Sequence, residues 1–175
     1  MAYQASVGQK VFYSTAYAMT SPVELVGLTS TPAKGGEPET ISVNIISEKF
    51  VRNLVGQQSI ETMAYAFVPD FSTNGNVKAA GTAIAASNSA DLWIYEEYEE
   101  GVDTTSGSST THTLGAGVLY KGKFKSMSVG EQEGNSAQTA SLYAQLTGKS
   151  IYICSGGESP TYVDLFTGNA VTTPE

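Results

Sequence analysis

Residues 27–43 read GLTSTPAKGGEPETISV, and this stretch decides more about the fold than any other. Its two prolines and its adjacent glycines exclude a helix, because proline removes a helical amide donor and glycine weakens a helical backbone. Strand-like sequences lie on both sides of it, at residues 23–28 and 41–46. The stretch therefore predicts a long extended loop in a β-rich chain, and residues 30–59 are expected to form one extended arm.

Alternation between larger apolar and smaller side chains is clearest over residues 60–68. There Met63, Tyr65 and Phe67 share one side, because successive side chains of a strand point to opposite faces. Comparable short stretches recur along the chain between turn signals. They predict further strands at residues 8–13, 91–98, 118–129, 137–146, 151–154 and 162–166.

One helix is predicted, at residues 75–86, where small apolar side chains recur at helical spacing. Ser72, Thr73 and Asn74 precede it and are candidate N-cap residues. Residues 47–59 have a less regular pattern, and we expect a loop with one or two turns of helix there. The helix would pack its alanine-rich side against a sheet.

The remaining segments are predicted to be irregular. Residues 103–113, DTTSGSSTTHT, indicate a polar low-complexity loop or a hairpin tip. Gly148 and Lys149 are expected to end the strand before them, and residues 167–175 are expected to form a flexible C-terminal tail. The whole chain, residues 1–175, is read as one domain with a mainly-β fold: a two-sheet sandwich or barrel with one flanking helix and a long extended loop.

The composition bounds the function. The chain has 9 basic and 17 acidic residues and a net charge of −8, which argues against a protein that grips nucleic-acid phosphates. It does not argue against a protein that lets DNA pass without binding it. No signal peptide and no apolar run of about 20 residues is visible, so we expect assembly in a cytoplasm and no membrane partner.

An acidic run is the strongest candidate for chemistry. It comprises Glu96, Glu97, Glu99, Glu100 and Asp103. Strand alternation separates neighbouring carboxylates onto opposite faces, so a catalytic pair or a metal site is the weakest interpretation. A solvated strand end is favoured, and a functional electrostatic surface is the alternative. No basic residue lies between Lys78 and Lys121, which leaves this region with a charge of −6 when Asp91 is included.

The other reactive residue types are sparse. His112 is the only histidine and is expected to be exposed and idle, and Cys154 is the only cysteine and is expected to be buried and inert. The row of Lys121, Lys123 and Lys125 favours a charged edge strand or ion pairs to a neighbouring subunit over phosphate binding. We therefore predict no enzyme activity, no catalytic residue, no metal and no cofactor.

Three segments carry a resemblance to a known family. Besides residues 27–43, they are residues 50–70, FVRNLVGQQSIETMAYAFVPD, and residues 121–149, KGKFKSMSVGEQEGNSAQTASLYAQLTGK. Their order of turns and strands resembles that of the major tail tube proteins of long-tailed phages with flexible, non-contractile tails (siphoviruses). The resemblance covers most of the chain loosely and these segments best.

The resemblance implies a virion structural protein with the phage tail tube fold. Six copies would form a ring, and stacked rings would form the hollow tail tube through which DNA passes into the host. The chain would self-assemble in the host cytoplasm and would meet tape-measure, tail terminator and tail-tip proteins. Residues 30–59 would reach a neighbouring subunit, and the predicted inter-subunit contact residues are Leu28, Pro32, Gly36, Pro38, Ile41, Phe50 and Leu54.

The tube lumen would repel DNA phosphates through carboxylates and hydroxyls. The predicted lumen residues are those of the acidic run. Hydroxyl-bearing strand faces, including Thr139 and Ser141, are a second candidate lining. The alternative function is a secreted or surface β-sandwich module for ligand binding or adhesion, which the low charge and the Ser, Thr and Tyr content also fit.

Overall fold

The computed structural model describes residues 10–32, 40–44, 51–55, 62–131, 134 and 138–175. Within these ranges the chain forms thirteen strands and one helix, α1 (Asn76–Ser89). The strands are β1 (Lys10–Ser14), β2 (Val23–Glu24), β3 (Leu28–Ser30), β4 (Thr40–Asn44), β5 (Val51–Val55), β6 (Met63–Phe67), β7 (Leu92–Glu97), β8 (Val102–Ser106), β9 (Ser109–Thr113), β10 (Gly117–Val129), β11 (Ala140–Cys154), β12 (Tyr162–Asp164) and β13 (Ala170–Val171).

Two long antiparallel strands, β10 and β11, form the centre of the main sheet. On one side β10 pairs with β7, which pairs with β1 and then β2. On the other side β11 pairs with β6 along its N-terminal part and with β12 at its C-terminal end. Since β6 also pairs with β3, the path of paired strands starts and ends in residues 23–30, as in a barrel. The predicted mainly-β fold with one helix is confirmed for the described residues.

β7 is buried along its whole length, and this positions the candidate site. Leu92 and Ile94 belong to one apolar cluster, which includes the inward face of β6. Trp93 and Tyr95 belong to a second cluster, which includes Phe12 of β1. Because successive strand residues point to opposite faces, β7 separates two cores and has no face left for solvent.

The inward face of β6 agrees with the sequence prediction. Met63, Tyr65 and Phe67 are buried in the first cluster, and the side chains between them are half-buried. Apolar alternation therefore identified both this strand and the face that it turns to the core. Cys154 is also buried, as predicted.

The helix α1 forms as predicted, but its N-terminus is built differently. Gly75 is the N-cap residue, and no side chain caps the helix, so Ser72, Thr73 and Asn74 do not have the predicted role. Instead, the Asn76 side chain accepts a hydrogen bond from the Asp70 amide and donates one to the Val68 carbonyl, both at 2.8 Å. These bonds tie the helix start to the end of β6. No helix among the described residues is long and apolar enough to cross a membrane.

One predicted strand and one predicted loop differ from the structure. Residues 23–28 form β2 and the start of β3, with a turn at Gly27 between them, where φ is +75°. Part of the stretch 47–59 is strand rather than helix, because β5 pairs along its length with β4. The predicted strand over 41–46 corresponds to β4, and residues 45 and 46 lie outside the described residues.

The C-terminal part contains more regular secondary structure than the sequence predicted. Gly148 and Lys149 do not end a strand, because β11 continues through them to Cys154. The tail predicted to be flexible contains β13, which pairs with β12. At its end, the Glu175 amide donates a hydrogen bond to the Tyr152 hydroxyl at 3.1 Å. The tail therefore lies against the sheet through backbone pairing and a buried tyrosine.

Candidate functional site

The acidic run divides into a buried and an exposed part. Glu96 and Glu97 close β7 and are 0% and 2% exposed, whereas Glu99, Glu100 and Asp103 follow the strand and are exposed. The expectation of a solvated strand end is therefore wrong for Glu96 and Glu97. Because both faces of β7 are covered, both carboxylates are buried within the chain.

Glu96 lies in the first core and is bound by tyrosine hydroxyls. Tyr65 donates a short hydrogen bond to one carboxylate oxygen, and Tyr98 donates to the other at 3.0 Å. The Tyr120 hydroxyl contacts the Tyr65 hydroxyl and, since the Tyr65 proton points to Glu96, Tyr120 is the donor. Glu96, Tyr65, Tyr98 and Tyr120 are called the Glu96 cluster below. It satisfies a buried carboxylate with hydroxyl donors.

Glu97 lies in the second core and is bound by an imidazole and a backbone amide. One of its oxygens is 2.9 Å from His112 Nε2 and accepts the Gly115 amide hydrogen at 2.9 Å. The Nδ1 atom of His112 contacts the Asp103 carboxylate, and the His112 ring stacks on Phe12 with 5.2 Å between ring centroids. His112 is thus partly buried and paired, contrary to the expectation of an idle histidine. Glu97, His112, Asp103 and Gly115 form the Glu97 cluster.

These contacts shift the titration of the groups involved. Burial lowers the pKa of His112, but its hydrogen bonds to Asp103 and Glu97 outweigh burial and raise the pKa above its ordinary value. The hydrogen bond from His112 lowers the pKa of Asp103. In the Glu96 cluster, burial and the neighbouring Glu96 raise the pKa of Tyr120 well above its ordinary value. The tyrosines therefore remain neutral donors across the ordinary pH range.

The geometry offers little for catalysis. Both ring nitrogens of His112 already face carboxylates, so the imidazole has no free nitrogen to act as a general base. Among the described residues, no group of three or more His, Cys, Asp or Glu side chains could hold a metal ion.

Beside His112 lies a cavity of about 270 Å³, whose lining includes Tyr17, Met19, Tyr95, Leu114, Cys154 and Tyr162. Burial raises the pKa of Tyr162 to about 12.

The Asp103–His112 contact had a sequence signal that was not used. The hairpin of β8 and β9 turns at Gly107 and Ser108, and Gly107 has a φ of +64°, which glycine adopts without strain. A two-residue turn at that place puts Asp103 opposite His112. The alternative of a hairpin for residues 103–113 is confirmed. The Glu97 contact had no such signal, because it joins the hairpin to a separate sheet.

The lysine row does not lie on an edge strand where it begins. Residues 117–122 of β10 pair with β7 on one side, and β10 pairs with β11 on the other. Lys123 forms an ion pair with Asp91 at 3.2 Å, and the Lys121 ammonium lies 5.6 Å from the centre of the Trp93 ring. Lys125 is exposed. At least two of the three lysines thus have partners within the chain.

The predicted inter-subunit residues are described only in part. Leu28 lies in β3 and packs partly against the first core, and Pro32 follows that strand. Ile41 of β4 and Leu54 of β5 occupy opposite positions of one hairpin. The other three predicted contacts lie outside the described residues: Gly36, Pro38 and Phe50.

Comparison with known proteins gives a likeness of fold. No family model and no curated protein matches the sequence. A chain of the anti-feeding prophage (AFP) baseplate, solved by cryo-EM with 6-fold symmetrisation, aligns with a TM-score of 0.51 and 9% identity, over 86% of this chain and 97% of that chain. The present chain therefore has the same overall fold as that baseplate chain. At that identity the likeness concerns architecture alone.

Two weaker likenesses were also found. The SPP1 tail tube protein aligns with a TM-score of 0.48 and 13% identity, over 80% of this chain and 73% of that chain. A type six secretion system protein aligns with a TM-score of 0.41 and 9% identity, over 94% of this chain and 100% of that chain. Both TM-scores lie below 0.5, so neither likeness assigns a fold to this chain.

Proposed function

We propose that this chain is the structural subunit of a phage tail tube. Copies assemble head to tail into six-membered rings, and the rings stack into a hollow tube through which DNA passes into the host. The observation that carries the proposal is the fold shared, over nearly the full length of both chains, with a chain of the 6-fold symmetrised AFP baseplate. The sequence resemblance to siphovirus tail tube proteins supports it independently.

The physics of the described chain fits such an assembly. A head-to-tail contact uses two different surfaces of the subunit, and it closes into a ring when the rotation between copies allows. The hairpin of β4 and β5 forms a two-stranded sheet of its own among the described strands, as does the hairpin of β8 and β9. Two-stranded hairpins are marginally stable alone, so pairing with a neighbouring copy would stabilise them.

We place the main inter-subunit contact in the arm of residues 30–59. Leu54 pairs with Ile41 in its hairpin, and Asn53 is the neighbouring position on the same strand. Leu54→Asp is expected to abolish tubes and to leave a folded monomer, whereas Asn53→Asp serves as the matched control. Equal assembly of the two variants would exclude Leu54 from the contact.

The lumen assignment now rests on fewer carboxylates. With Glu96 and Glu97 buried, the exposed candidates are Glu99, Glu100 and Asp103. The double variant Glu99→Lys/Glu100→Lys is expected to retain DNA fragments on assembled tubes in a sedimentation assay, because it replaces repulsion by attraction to phosphate. Glu158→Lys, at an exposed position elsewhere, is the control. No retention by the double variant would place these residues outside the lumen.

The proposal extends to location and partners. The chain would be a virion component assembled in the host cytoplasm, with tape-measure, tail terminator and tail-tip proteins as its further contacts. Its role would be structural and non-enzymatic, since the positions most suited to chemistry are occupied by internal pairs in the Glu96 and Glu97 clusters.

The test is negative-stain electron microscopy of the purified chain at high concentration, beside a size-exclusion run. Rings or hollow tubes with a regular repeat would support the proposal. If only monomer forms, the chain is mixed with preformed tail tips as an initiator. A chain that remains monomeric there, and that retains a small ligand in a binding screen, would overturn the tube in favour of a β-sandwich binding module.

A further inference from the structure

The hairpin of β8 and β9 is joined to the main sheet through His112. Along the hairpin, positions from Val102 to Thr111 are exposed, and only the end near His112 is partly buried. There the imidazole stacks on Phe12 of β1 and contacts Glu97 of β7. Since an isolated hairpin gains little stability from its own pairing, these contacts fix its orientation on the sheet.

The contacts of His112 require a particular protonation state. A neutral imidazole carries a hydrogen on one ring nitrogen only, so its other nitrogen would direct a lone pair at a carboxylate. Here Nε2 lies 2.9 Å from the Glu97 carboxylate, and Nδ1 contacts the Asp103 carboxylate. Both nitrogens must donate for both contacts to be favourable, so the ring is an imidazolium.

Glu97 strengthens this requirement because it is itself buried. Its carboxylate is 2% exposed, and a buried charge is costly without a partner of opposite sign. Its uncharged donor is the Gly115 amide, at 2.9 Å. Loss of the His112 proton would leave Glu97 with that amide and without the facing cation.

We propose that His112 is a protonation-dependent latch: as an imidazolium it holds the β8–β9 hairpin against the main sheet, and its deprotonation releases the hairpin. The inference stands independently of tube assembly, because every contact in it lies within one chain.

The groups that face the latch come from several elements. Glu97 of β7 and Asp103 of β8 bind the ring directly, and Lys10 of β1 stands opposite Glu97 and acts electrostatically on Asp103. Tyr95, Cys154, Tyr162 and Glu158 line the cavity beside His112. Burial raises the pKa of Tyr95, so its hydroxyl stays neutral. His112 is the imidazole among these groups, and the ordinary pKa of an imidazole, about 6.5, lies near neutrality.

The direction of the pH response follows from the raised pKa of His112. The folded state binds the His112 proton more tightly than the unfolded state. The contribution of His112 to stability is therefore complete below the unfolded pKa of about 6.5. It is lost as pH rises through the folded pKa. The lowered pKa of Asp103 sets the acid limit, since that carboxylate contributes until pH falls through its own folded value. The latch is closed between these two limits.

The first experiment is an NMR titration of the imidazole in the full chain. His112 is the only histidine, so its ring signals need no assignment by mutation. The expected result is a midpoint above about 6.5, with both ring nitrogens protonated below it. Asp103→Asn should move the midpoint down. A wild-type midpoint at or below about 6.5 would overturn the proposal.

The second experiment measures amide hydrogen exchange of residues 102–113, corrected for intrinsic exchange, on both sides of the midpoint. The wild type should lose roughly tenfold in hairpin protection for each unit by which the folded pKa exceeds the unfolded one. His112→Gln keeps a donor but cannot titrate, so its protection should not change with pH.

The matched control is Thr110→Gln, two residues earlier on the same strand, which should behave as the wild type. The same pH response in His112→Gln and in the wild type would overturn the latch. If His112→Gln does not fold, the wild-type protection profile must still change at the NMR midpoint, and a flat profile would overturn the proposal as well.

Discussion

Glu96 and Glu97 are consecutive residues, both buried, and the molecule stabilises them in different ways. Glu96 points into the core that contains β6 and accepts hydrogen bonds from Tyr65 and Tyr98. Glu97 points into the opposite core and accepts bonds from an imidazolium and from the Gly115 amide. Neighbouring carboxylates on one strand are thus satisfied by neutral hydroxyls on one face and by a cation on the other.

The difference indicates which face of β7 supplies stability that depends on pH. The tyrosines of the Glu96 cluster have raised pKa values because they are buried beside a carboxylate, so their hydroxyl donors persist at any ordinary pH. The Glu97 cluster depends on His112, which titrates near neutrality. We therefore expect the first face to supply constant stability and the second to supply stability that varies with pH.

The largest expected effect is that of Glu96→Ala. The substitution leaves buried tyrosine hydroxyls without their acceptor and opens a cavity, so unfolding should become easier by about 3 kcal/mol. Urea unfolding followed by tryptophan fluorescence measures this, with the exposed Glu99→Ala as the control, for which about 0.5 kcal/mol or less is expected. A loss for Glu96→Ala as small as that of the control would show that the Glu96 cluster contributes little.

Glu97→Gln comes next, with an expected loss of about 2 kcal/mol in the free energy of unfolding. The hydrogen bond between His112 and a charged carboxylate is replaced by one to a neutral amide oxygen. The substitution should also lower the His112 pKa by removing one of its two carboxylate partners. Glu96→Gln should leave the His112 titration unchanged, since Glu96 lies on the other face of β7. If both variants move the His112 midpoint equally, the two faces are not independent.

The sequence predicted those parts of the fold that local patterns determine. The inward side of β6 was correct because period-two alternation needs only neighbouring residues. The strand β5 was missed because Phe50, Leu54 and Val55 also fit a helical stripe, and pairing with β4 decided between the two. The sequence pattern predicted that a strand ends before Gly148, but β11 continues through it. The glycine fits there because the Lys121 side chain lies close to the place that a side chain at position 148 would occupy.

The burial of the two carboxylates was beyond local reasoning. The partners of Glu96 and Glu97 are distant in sequence: Tyr65 and, through it, Tyr120 on one face, and His112, which stacks on Phe12, on the other. A run of acidic residues after an apolar strand resembles a solvated strand end when seen alone. The carboxylates are buried because a second layer of structure covers the far side of β7. The tertiary fold brings the residues of that layer together from distant parts of the sequence.

The smallest expected effects distinguish the tyrosines within the Glu96 cluster. Tyr65 is fully buried between Glu96 and Tyr120, so Tyr65→Phe removes one donor and one acceptor and should cost about 1.5 kcal/mol. Tyr98 is 45% exposed, and water can replace its hydroxyl, so Tyr98→Phe should cost about 0.5 kcal/mol or less. Urea unfolding at pH 6 and pH 9, roughly half a unit below and well above the ordinary His pKa of about 6.5, should give the same ranking, because the three tyrosines stay neutral at both pH values. A ranking that reversed with pH would show that the hydroxyl network is coupled to His112 across β7, and that the two carboxylates form one network.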